Sequence, residues 1–499
     1  MLPPAIPFLS KSRYLTGLQC HKRLWWEVHE THAPELTPDE NTLVAFDVGR
    51  QVGAAARERV PGGVLILGKA SEGALKVDRT RKALDEGASV VYEATFEHEK
   101  VFVSVDILER MGDGFRVTEV KSTVEAKEEH LPDVAIQRWV ASGSGLPVVA
   151  THLMHLNREC RAPDLTNLFA RADLTTKVAE VLPAVPAQVQ GMLRTLEGPL
   201  PDVAIGKHCD EPYECPFKPR CWPEPHPHAW ETLPRLSAKK RVALQALGIE
   251  TIHQIPADFE LTDHQERQRQ AVVTGQPVID PQLGPSLVPF KGERVAFLDF
   301  ETVRPAIPIW NGTGPYAQVP AQFSVHVVQR HGSTAAQEQH FEWIATAPED
   351  PRPGMARAVV DACRGADVVI AFNASFERGC LESLAGAVPD LADDLRAIVL
   401  RIKDLADPMK RGIYHPKFHG SYSLKAVVPA LIPELAYTDL EVADGTTASN
   451  RLLAMMLNEP PLSDEERATR RTELLAYCGR DTLVMVRLLG RLEEIAGTT

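Results

Sequence analysis

The sequence predicts a multidomain α/β protein, with two large domains and a small helical region between them. Three observations predict this class. The chain has 499 residues, of which 44% are hydrophobic and 24% charged, and that length exceeds what one hydrophobic core normally serves. Apolar and polar residues alternate along two runs within residues 90–121, the pattern of half-buried strands. From Val295 onwards, strand-like apolar runs alternate with helical segments, which is the arrangement of an α/β domain.

We predict three regions along the chain. Region 8–222 begins with a basic, aromatic, helix-like stretch, continues through short strand-like runs and closes at HCDEPYECPFKPRCW. Region 223–290 starts with the break PEPHPH and contains LSAKKRVALQALGIETIHQIP. Its helical spacing is interrupted at Gly248, which predicts either a helix-hairpin-helix that contacts nucleic-acid backbone or a helical spacer with a Gly cap. Region 291–499 is the α/β domain.

The composition excludes several classes of protein. No apolar run reaches the roughly 18 to 20 residues that cross a bilayer, and the N-terminal stretch lacks a signal-peptide core, so we expect a cytoplasmic protein with no membrane partner. Eight cysteines in a reducing compartment are better candidates for metal ligands than for disulfides. The net charge of -13 disfavours general attraction to phosphates but allows a local basic groove.

The segment from Gly63 to Lys69 has the spacing of a phosphate-binding loop. Ala70 stands where a Ser or Thr would bind Mg²⁺, and the intervening residues are an apolar run typical of a buried strand. We therefore predict that the chain does not bind ATP.

Two carboxylates and a lysine lie on adjacent strand-like runs of the first region. Asp106 belongs to VVYEATFEHEKVFVSVDILER, and Glu119 and Lys121 belong to FRVTEVKST. Because side chains two apart share one face of a strand, Glu119 and Lys121 point the same way. Two carboxylates and a lysine on one face are suited to hold a divalent metal and to position a water for attack on phosphate. A surface ion pair is the alternative interpretation.

This segment resembles the PD-(D/E)XK nuclease superfamily, specifically its RecB-like branch, in which a later helix carries a Gln followed by an aromatic residue. Gln137 in DVAIQRWV stands at that place, but Ala141 replaces the aromatic residue and Trp139 is the aromatic residue nearby. Glu93 is a candidate additional acidic ligand. The resemblance implies a restriction-endonuclease-like domain in which Asp106 and Glu119 bind metal. The catalytic residues that it implies are Asp106, Glu119, Lys121 and Gln137.

Four cysteines form a second motif in this region: Cys20, Cys209, Cys215 and Cys221. They resemble the cysteines of RecB-like nucleases, among them CRISPR-adaptation nucleases, that close the nuclease fold with an iron–sulfur cluster. That resemblance implies a [4Fe-4S] cluster that acts as a structural staple. Zn²⁺ is one alternative, because His208, His226 and His228 are near in sequence and zinc accepts mixed Cys/His sets. Cysteines without a ligand are the other.

The last region carries a second set of acidic residues. Asp299 and Glu301 end the apolar strand run VAFLDFET, so both carboxylates project to one face. Glu377 ends IAFNASFE. In the last helical segment, Tyr477 precedes Asp481 by four residues, which places the phenol beside the carboxylate on one helix face.

These motifs resemble those of the tyrosine-bearing DnaQ-like 3′–5′ exonucleases, which have a ribonuclease H-like fold. Glu377 departs from the usual Asp, so a longer carboxylate must reach the metal. Asp404 is a candidate further acidic residue, and Tyr422 and Lys425 are candidates to line the substrate groove. The resemblance implies that Tyr477 orients the attacking water and that four carboxylates bind metal: Asp299, Glu301, Glu377 and Asp481.

Together, the resemblances imply a nuclease that depends on Mg²⁺ or Mn²⁺ and has two active sites. We expect nucleic acid as its partner, DNA in preference to RNA, single-stranded or at ends. The basic start either grips a single strand or packs beside the cysteine cluster; its residues are Lys11, Arg13, Lys22, Arg23 and Trp25. Two alternatives remain: a single active site with the other domain as scaffold, or a non-catalytic nucleic-acid-binding or regulatory protein.

Overall fold

The structure is a computed structural model that describes residues 8–330, 336–442 and 444–497. The chain divides into two compact units. The first unit contains the described residues up to Glu224 together with the segment Pro305–Tyr316, and the second contains Pro225–Arg304 and the described residues from Ala317 onwards. Both units combine helices with sheets, so the prediction of a multidomain α/β protein is confirmed.

The first unit has seven strands and eight α-helices in its described residues. The strands are β1 (Leu9–Ser10), β2 (Val64–Leu65), β3 (Val90–His98), β4 (Val101–Met111), β5 (Gly114–Lys121), β6 (Val148–Leu156) and β7 (Phe169–Asp173). The helices are α1 (Lys11–Gln19), α2 (His21–His29), α3 (Glu40–Glu58), α4 (Gly73–Asp85), α5 (Leu131–Gly143), α6 (Thr175–Val181), α7 (Val185–Glu197) and α8 (Lys218–Cys221).

One mixed sheet organises this unit, in the order β2-β3-β4-β5-β6-β7, and β1 pairs with β4. The alternating residues predicted as strands form the antiparallel pairs β3–β4 and β4–β5, whereas β5–β6 is parallel. The β3–β4 turn has two residues with positive φ, Glu99 and Lys100, which matches the twist of a tight hairpin. Helix α5 packs against β3, β4, β5 and β6, and its buried apolar residues join the core under the sheet.

The segment between residues 28 and 90 differs from the sequence prediction. We expected short strands there, but α3 and α4 occupy most of it and only β2 is extended. The apolar run before Lys69 is also not a buried strand, because Leu67 is 68% exposed and both residues of β2 are exposed. Propensity and run length do not separate a short exposed edge strand from a buried one.

The second unit has seven strands and ten α-helices in its described residues. The strands are β8 (Val278–Ile279), β9 (Arg294–Val303), β10 (Val319–Gln329), β11 (Gln337–Ile344), β12 (Val368–Ala371), β13 (Ile402–Asp404) and β14 (Ile413–Tyr414). The helices are α9 (Ala238–Ala246), α10 (Asp263–Thr274), α11 (Leu283–Leu287), α12 (Arg352–Ala362), α13 (Ser375–Ala387), α14 (Ala392–Arg401), α15 (Ala406–Gly412), α16 (Leu424–Leu431), α17 (Gly445–Leu457) and α18 (Asp464–Gly497).

The main sheet of this unit has the order β11-β10-β9-β12-β13. Strands β9, β10 and β11 are antiparallel neighbours, and β12 and β13 continue the sheet in parallel with β9. One core cluster lies between this sheet and helices that include α12, α13 and α14. The long helix α18 contacts β9 and β10, which brings the end of the chain to the strand that carries Asp299.

Region 223–290, predicted as a small helical region between the two large domains, packs within the second unit from Pro225 onwards. Its apolar residues share one core cluster with Val295, Met409 and Leu488. After α9, Gly248 has φ +65°, and the next helical piece is only the 3₁₀ turn Ile252–Gln254. The segment is therefore a helix with a Gly cap and not a hairpin of two α-helices.

None of the helices within the described ranges is long and apolar enough to cross a membrane.

Candidate functional site

Three carboxylates meet at the end of β9 in the second unit. Asp299 and Glu301 lie on one face of β9, and Asp481 comes from α18. One oxygen of each lies within 4.8 Å of the others, and within the described ranges no other group of at least three His, Cys, Asp or Glu donors converges in this way. Three acidic ligands from two elements form a hard, all-oxygen donor set of the kind that Mg²⁺ and Mn²⁺ prefer.

Burial and mutual repulsion raise the pKa values of this cluster. Burial raises the pKa of Glu301 to about 8, and the neighbouring Asp481 adds to the shift. Burial likewise raises the pKa of Asp481 to about 6, and burial together with Asp481 raises that of Asp299 well above its usual value. Like charges in a poorly solvated site favour protonation unless a cation is present. The cluster is therefore short of positive charge.

Glu377 lies in the first turn of α13, beside the three carboxylates but outside their 4.8 Å group. Its side chain is buried, and its Oε2 has no hydrogen-bond partner. Burial, and then repulsion from acidic neighbours that include Asp404, raise its pKa to about 8. A buried carboxylate oxygen without a partner requires an explanation, and a bound cation supplies one.

Two tyrosines and a lysine border the cluster. Tyr477 is buried on α18 one turn before Asp481, as the sequence predicts. Tyr437, which sequence analysis did not identify, donates a hydrogen bond from its hydroxyl to Asp481 Oδ1 at 2.5 Å. The Lys425 ammonium lies 5.8 Å from the Tyr477 ring centroid and lowers the pKa of Glu301. The Cys478 thiol donates to Asp299 Oδ2 at 3.4 Å.

Two of the predicted accessory residues have other partners. Asp404 accepts hydrogen bonds from the backbone N–H groups of Asn373, Ala374 and Ala406, so it fixes the turn before α13. Tyr422 donates from its hydroxyl to the Ile413 carbonyl oxygen at 3.1 Å. Asp404 and Tyr422 thus have structural contacts, and Asp404 also lies close enough to raise the pKa of Glu377.

The structure also brings the predicted residues of the first unit together. Glu119 and Lys121 on β5 form an ion pair of 2.8 Å between Nζ and Oε1. The Gln137 amide, on α5, donates to Glu119 Oε2 at 2.7 Å and to Asp133 Oδ1 at 3.0 Å. Lys121 also donates to Asp133. Asp133 was not identified from the sequence, although it lies four residues before Gln137 on the same helix face.

Lys11 is the second unanticipated member of this group. Its ammonium donates to both Glu119 oxygens, at 2.8 and 2.9 Å, and lies 3.2 Å from Asp133 Oδ1. Burial by itself disfavours the charged forms of Glu119 and of the two lysines. Even so, the ammonium groups of Lys11 and Lys121 hold the pKa of Glu119 below its usual value. Unlike the acidic cluster of the second unit, this site already contains two protein cations.

Asp106 faces the same group from β4. Its Oδ2 accepts the Val120 backbone N–H at 2.7 Å, and burial and then Glu119 raise its pKa well above the usual value. The register of β3 and β4 places Glu93 at the position opposite Asp106, and Glu93 has φ +56° within the strand. Such a backbone conformation is strained for a residue other than glycine.

Four free thiols line one pocket of the first unit: Cys20, Cys209, Cys215 and Cys221. Of the three histidines considered as zinc ligands, only His208 lines it as well. Burial raises the pKa values of Cys215 and Cys221, and repulsion from Cys20 and Cys209 contributes. No three donors in this described part of the chain lie within 4.8 Å of one another.

The basic start packs against the protein. Lys11 is in the ion pairs above, Arg23 donates to Glu27 at 2.8 Å, and Trp25 donates to the Gly198 carbonyl oxygen at 3.0 Å. The Lys22 ammonium lies 5.6 Å from the Trp26 ring centroid. Lys22 and Arg23 also line the pocket of the four thiols, which is the observation that favours packing beside the cysteines for this part of the stretch.

Residues 296–423 match a family described as "Domain of unknown function (DUF2779)". This range contains Asp299, Glu301 and Glu377 and ends before Tyr477 and Asp481. The family description states no activity.

Two curated proteins are similar to part of the chain. An uncharacterized protein of Mycoplasma pneumoniae is 26% identical over 215 residues, 39% of this chain and 31% of that protein. An uncharacterized protein of Mycoplasma genitalium is 24% identical over 221 residues, 41% of this chain and 32% of that protein. The matches thus span about a third of the length of these relatives.

Among solved structures, the family B DNA polymerase of the archaeon Pyrobaculum calidifontis matches with a TM-score of 0.25 and 14% identity, over 41% of this chain and 27% of the polymerase. A TM-score of this size does not define a shared fold.

Proposed function

We propose that the chain is a metal-dependent nuclease that hydrolyses phosphodiester bonds, with the carboxylate cluster of the second unit as its principal active site. One observation carries the proposal. Asp299, Glu301 and Asp481 converge within 4.8 Å in a partly buried site, and the nearby Glu377 has a buried oxygen without a hydrogen-bond partner. Perturbed carboxyl groups that share a confined site are characteristic of catalytic centres.

The donor chemistry fits a divalent cation. Asp299, Glu301 and Asp481 would hold Mg²⁺ or Mn²⁺, and Glu377 would complete the acidic set. When bound, the metal supplies positive charge to the scissile phosphate and activates water. Within the described residues, no cysteine or histidine is a member of this set, which accords with a hard cation.

The surrounding residues have separate tasks in this proposal. Tyr437 holds Asp481 in place through its hydroxyl, and Tyr477, by resemblance to the DnaQ-like exonucleases, orients the attacking water. Lys425 neutralises part of the acidic charge and is placed to attract a phosphate. We propose 3′–5′ trimming of DNA, single-stranded or at ends, as the reaction of this site.

We propose the first unit as a second, PD-(D/E)XK-like nuclease site, with Asp106 and Glu119 as metal ligands. Lys11 now binds both oxygens of Glu119, so a metal would have to displace its ammonium. Lys121 and Gln137 would then hold Glu119 and Asp133 in position. The geometry supports this site less directly than the acidic cluster of the second unit.

We also propose that Cys20, Cys209, Cys215 and Cys221 hold a [4Fe-4S] cluster. Four thiols around one pocket supply one ligand for each of the four irons of such a cluster. Anaerobically purified protein should contain iron and absorb visible light, and Cys20→Ala should lose both. Cys160→Ala is the matched control in the same unit. Stoichiometric zinc in place of iron would refute the cluster.

The nuclease proposal is tested by cleavage of end-labelled single-stranded DNA, duplex DNA and RNA with Mn²⁺. The variants are Asp299→Asn, Asp106→Asn and the double variant, with the exposed Asp361→Asn as control. We expect Asp299→Asn to lower 3′–5′ trimming by about 10²- to 10³-fold, because metal stabilisation is worth several kcal/mol and about 1.4 kcal/mol is tenfold. The control should cleave like wild type.

Each outcome selects one interpretation. If Asp106→Asn removes a different set of products, both sites are active. If it changes nothing, the first unit is a scaffold. If wild type and the double variant are equally inactive on every substrate, the nuclease proposal fails and a non-catalytic nucleic-acid-binding protein becomes the better explanation.

A further inference from the structure

Four histidines from three separate segments of the second unit lie together. His226 and His228 belong to PEPHPH, His253 lies in the 3₁₀ turn after α9, and His419 follows the 3₁₀ turn Pro416–Phe418. The His228 ring centroid lies 5.2 Å from that of His419, 5.6 Å from that of His253 and 5.9 Å from that of His226. The His226 and His253 centroids are 6.5 Å apart.

Backbone contacts hold the segments of His228 and His253 together independently of the rings. The Ile252 N–H donates to the His228 carbonyl oxygen at 2.9 Å, and Ala229 and Thr251 form an isolated β-bridge. His419 Nδ1 lies 3.2 Å from the Pro227 carbonyl oxygen. The segments of His228 and His253 are therefore fixed by their backbones, and the His419 ring itself joins the third segment to Pro227.

Two ring nitrogens, His228 Nδ1 and His419 Nε2, are available to bind a metal. His228 Nδ1 is buried and has no hydrogen-bond partner, which is uncommon for a buried polar atom. A carbonyl oxygen only accepts, so His419 Nδ1 must donate to Pro227, which leaves a lone pair on His419 Nε2. Histidines that bind metal typically donate their other ring N–H to a backbone carbonyl or carboxylate in this way.

We propose that His226, His228, His253 and His419 form a binding site for a transition-metal ion, with Zn²⁺ as the best candidate. Zinc binds histidine nitrogen at about 2.0–2.1 Å in tetrahedral sets, and imidazoles around one such ion have their centroids spaced much as these are. The donors are neutral nitrogens, so the site selects a different ion from the carboxylate cluster.

Binding requires the rings to turn, because within the described residues the only three donors already within 4.8 Å are carboxylates. His226 Nδ1 accepts the His228 backbone N–H at 3.0 Å, and that bond must break if His226 binds through Nδ1. The role of the ion would be structural. It would tie PEPHPH to α9 and to the turn at His419, and so fix the start of the second unit.

The test is metal binding by the full-length chain after removal of any affinity tag and of bound metal. The Cys20→Ala/Cys209→Ala/Cys215→Ala/Cys221→Ala background removes all four thiols of the cysteine pocket, and Asp299→Asn weakens the carboxylate site. The test variant is His226→Gln/His253→Gln, because both side chains are exposed and their loss should not prevent folding. The exposed His264→Gln is the control.

We expect the background protein to bind one equivalent of Zn²⁺ and of Co²⁺, with the visible spectrum of tetrahedral nitrogen-bound Co²⁺. Loss of a residue that only orients a ligand already weakens metal affinity by about 10- to 100-fold, so the double His variant should lose that equivalent and its spectrum. Zn²⁺ should raise the Tm of the background and of His264→Gln, but not of the variant. Equal binding by variant and background, or no Zn²⁺ equivalent in the background, would overturn the proposal.

Discussion

The stability of the second unit should depend on pH through the protonation of individual carboxyl groups in the acidic cluster. Burial raises the pKa values of Glu301 and Glu377 to about 8. Above the usual carboxyl pKa and up to about pH 8, the folded chain therefore binds more protons than the unfolded chain. These groups stabilise the folded chain fully at pH values below the carboxyl pKa of the unfolded chain. That contribution is lost as the pH rises through the pKa of the folded chain.

The first prediction follows from this linkage. In EDTA, the free energy of unfolding should fall between about pH 5 and about pH 8, by up to about 1.4 kcal/mol per pH unit for each carboxyl that is protonated only when folded. Denaturant titrations of Glu301→Gln and Glu377→Gln should give a shallower fall, whereas the exposed Glu382→Gln should follow wild type. A Gln variant with the wild-type slope would show that the carboxyl is ionised in the folded chain. Mn²⁺ should stabilise most at the alkaline end.

A second prediction concerns the hydroxyl that binds Asp481. Tyr437 lowers the pKa of Asp481 by its hydrogen bond, so Tyr437→Phe should raise that pKa and shift the acid limb of Mn²⁺ binding to higher pH. A hydrogen bond to a charged group is worth about 1.5–3 kcal/mol, an upper limit for the loss in binding. Tyr422→Phe, which loses a bond to a backbone carbonyl, should keep the wild-type pH profile. Identical profiles for the two variants would contradict the role of Tyr437.

At the scale of elements, α1 determines the charge of the site in the first unit. Ser10 caps this helix by accepting the Arg13 N–H, and the helix places Lys11 against Glu119 and Asp133, whose side chains are 3% and 2% exposed. Removal of one partner from a buried ion pair typically costs about 3–5 kcal/mol, because a charge is left without compensation.

The third prediction is that Lys11→Met lowers the free energy of unfolding by about that amount in EDTA. In an Asp299→Asn background, Mn²⁺ should raise the Tm of Lys11→Met more than that of the parent, since the metal would take the place of the ammonium. Lys82→Met, at a position 76% exposed, should change neither quantity. Thermal unfolding with and without Mn²⁺ measures both. An equal Mn²⁺ response in all three proteins would mean that Lys11 does not occupy a metal position.

At the scale of the whole molecule, the boundary between the units does not follow one point in the sequence. The segment Pro305–Tyr316, between β9 and β10, belongs to the first unit. Ala306 is buried there in a cluster with Val52, Leu156 and Leu168. A chain divided near residue 222 or 290 would therefore separate the first unit from part of its own core.

The fourth prediction tests this assignment. Ala306→Asp buries a charge without a partner and should lower the stability of the first unit by about 3 kcal/mol or more. Hydrogen exchange should then increase in α3 and β6 and remain unchanged in the strands of the second unit. Ile309→Asp, at an exposed position of the same segment, should have little effect. Increased exchange in β12 and β13 would contradict the assignment of the segment.

Local geometry determined much of what the sequence predicted. Because side chains two apart share one face of a strand, the sequence placed Asp299 and Glu301 together, and likewise Glu119 and Lys121. The helical period placed Tyr477 beside Asp481 on one helix face. The alternating runs predicted β3, β4 and β5. Local patterns were insufficient where strand and helix signals were weak, as at α3 and α4.

Tertiary structure alone decided which of these local groups meet. Asp481 reaches Asp299 because α18 packs on β9, and Lys11 reaches Glu119 across 108 positions. Tyr437, His253 and His419 had no local signal. Backbone periodicity depends only on neighbours in sequence and can be seen in a single chain. The pairing of distant side chains depends on which buried faces fit together, and that is determined only when the whole chain has folded.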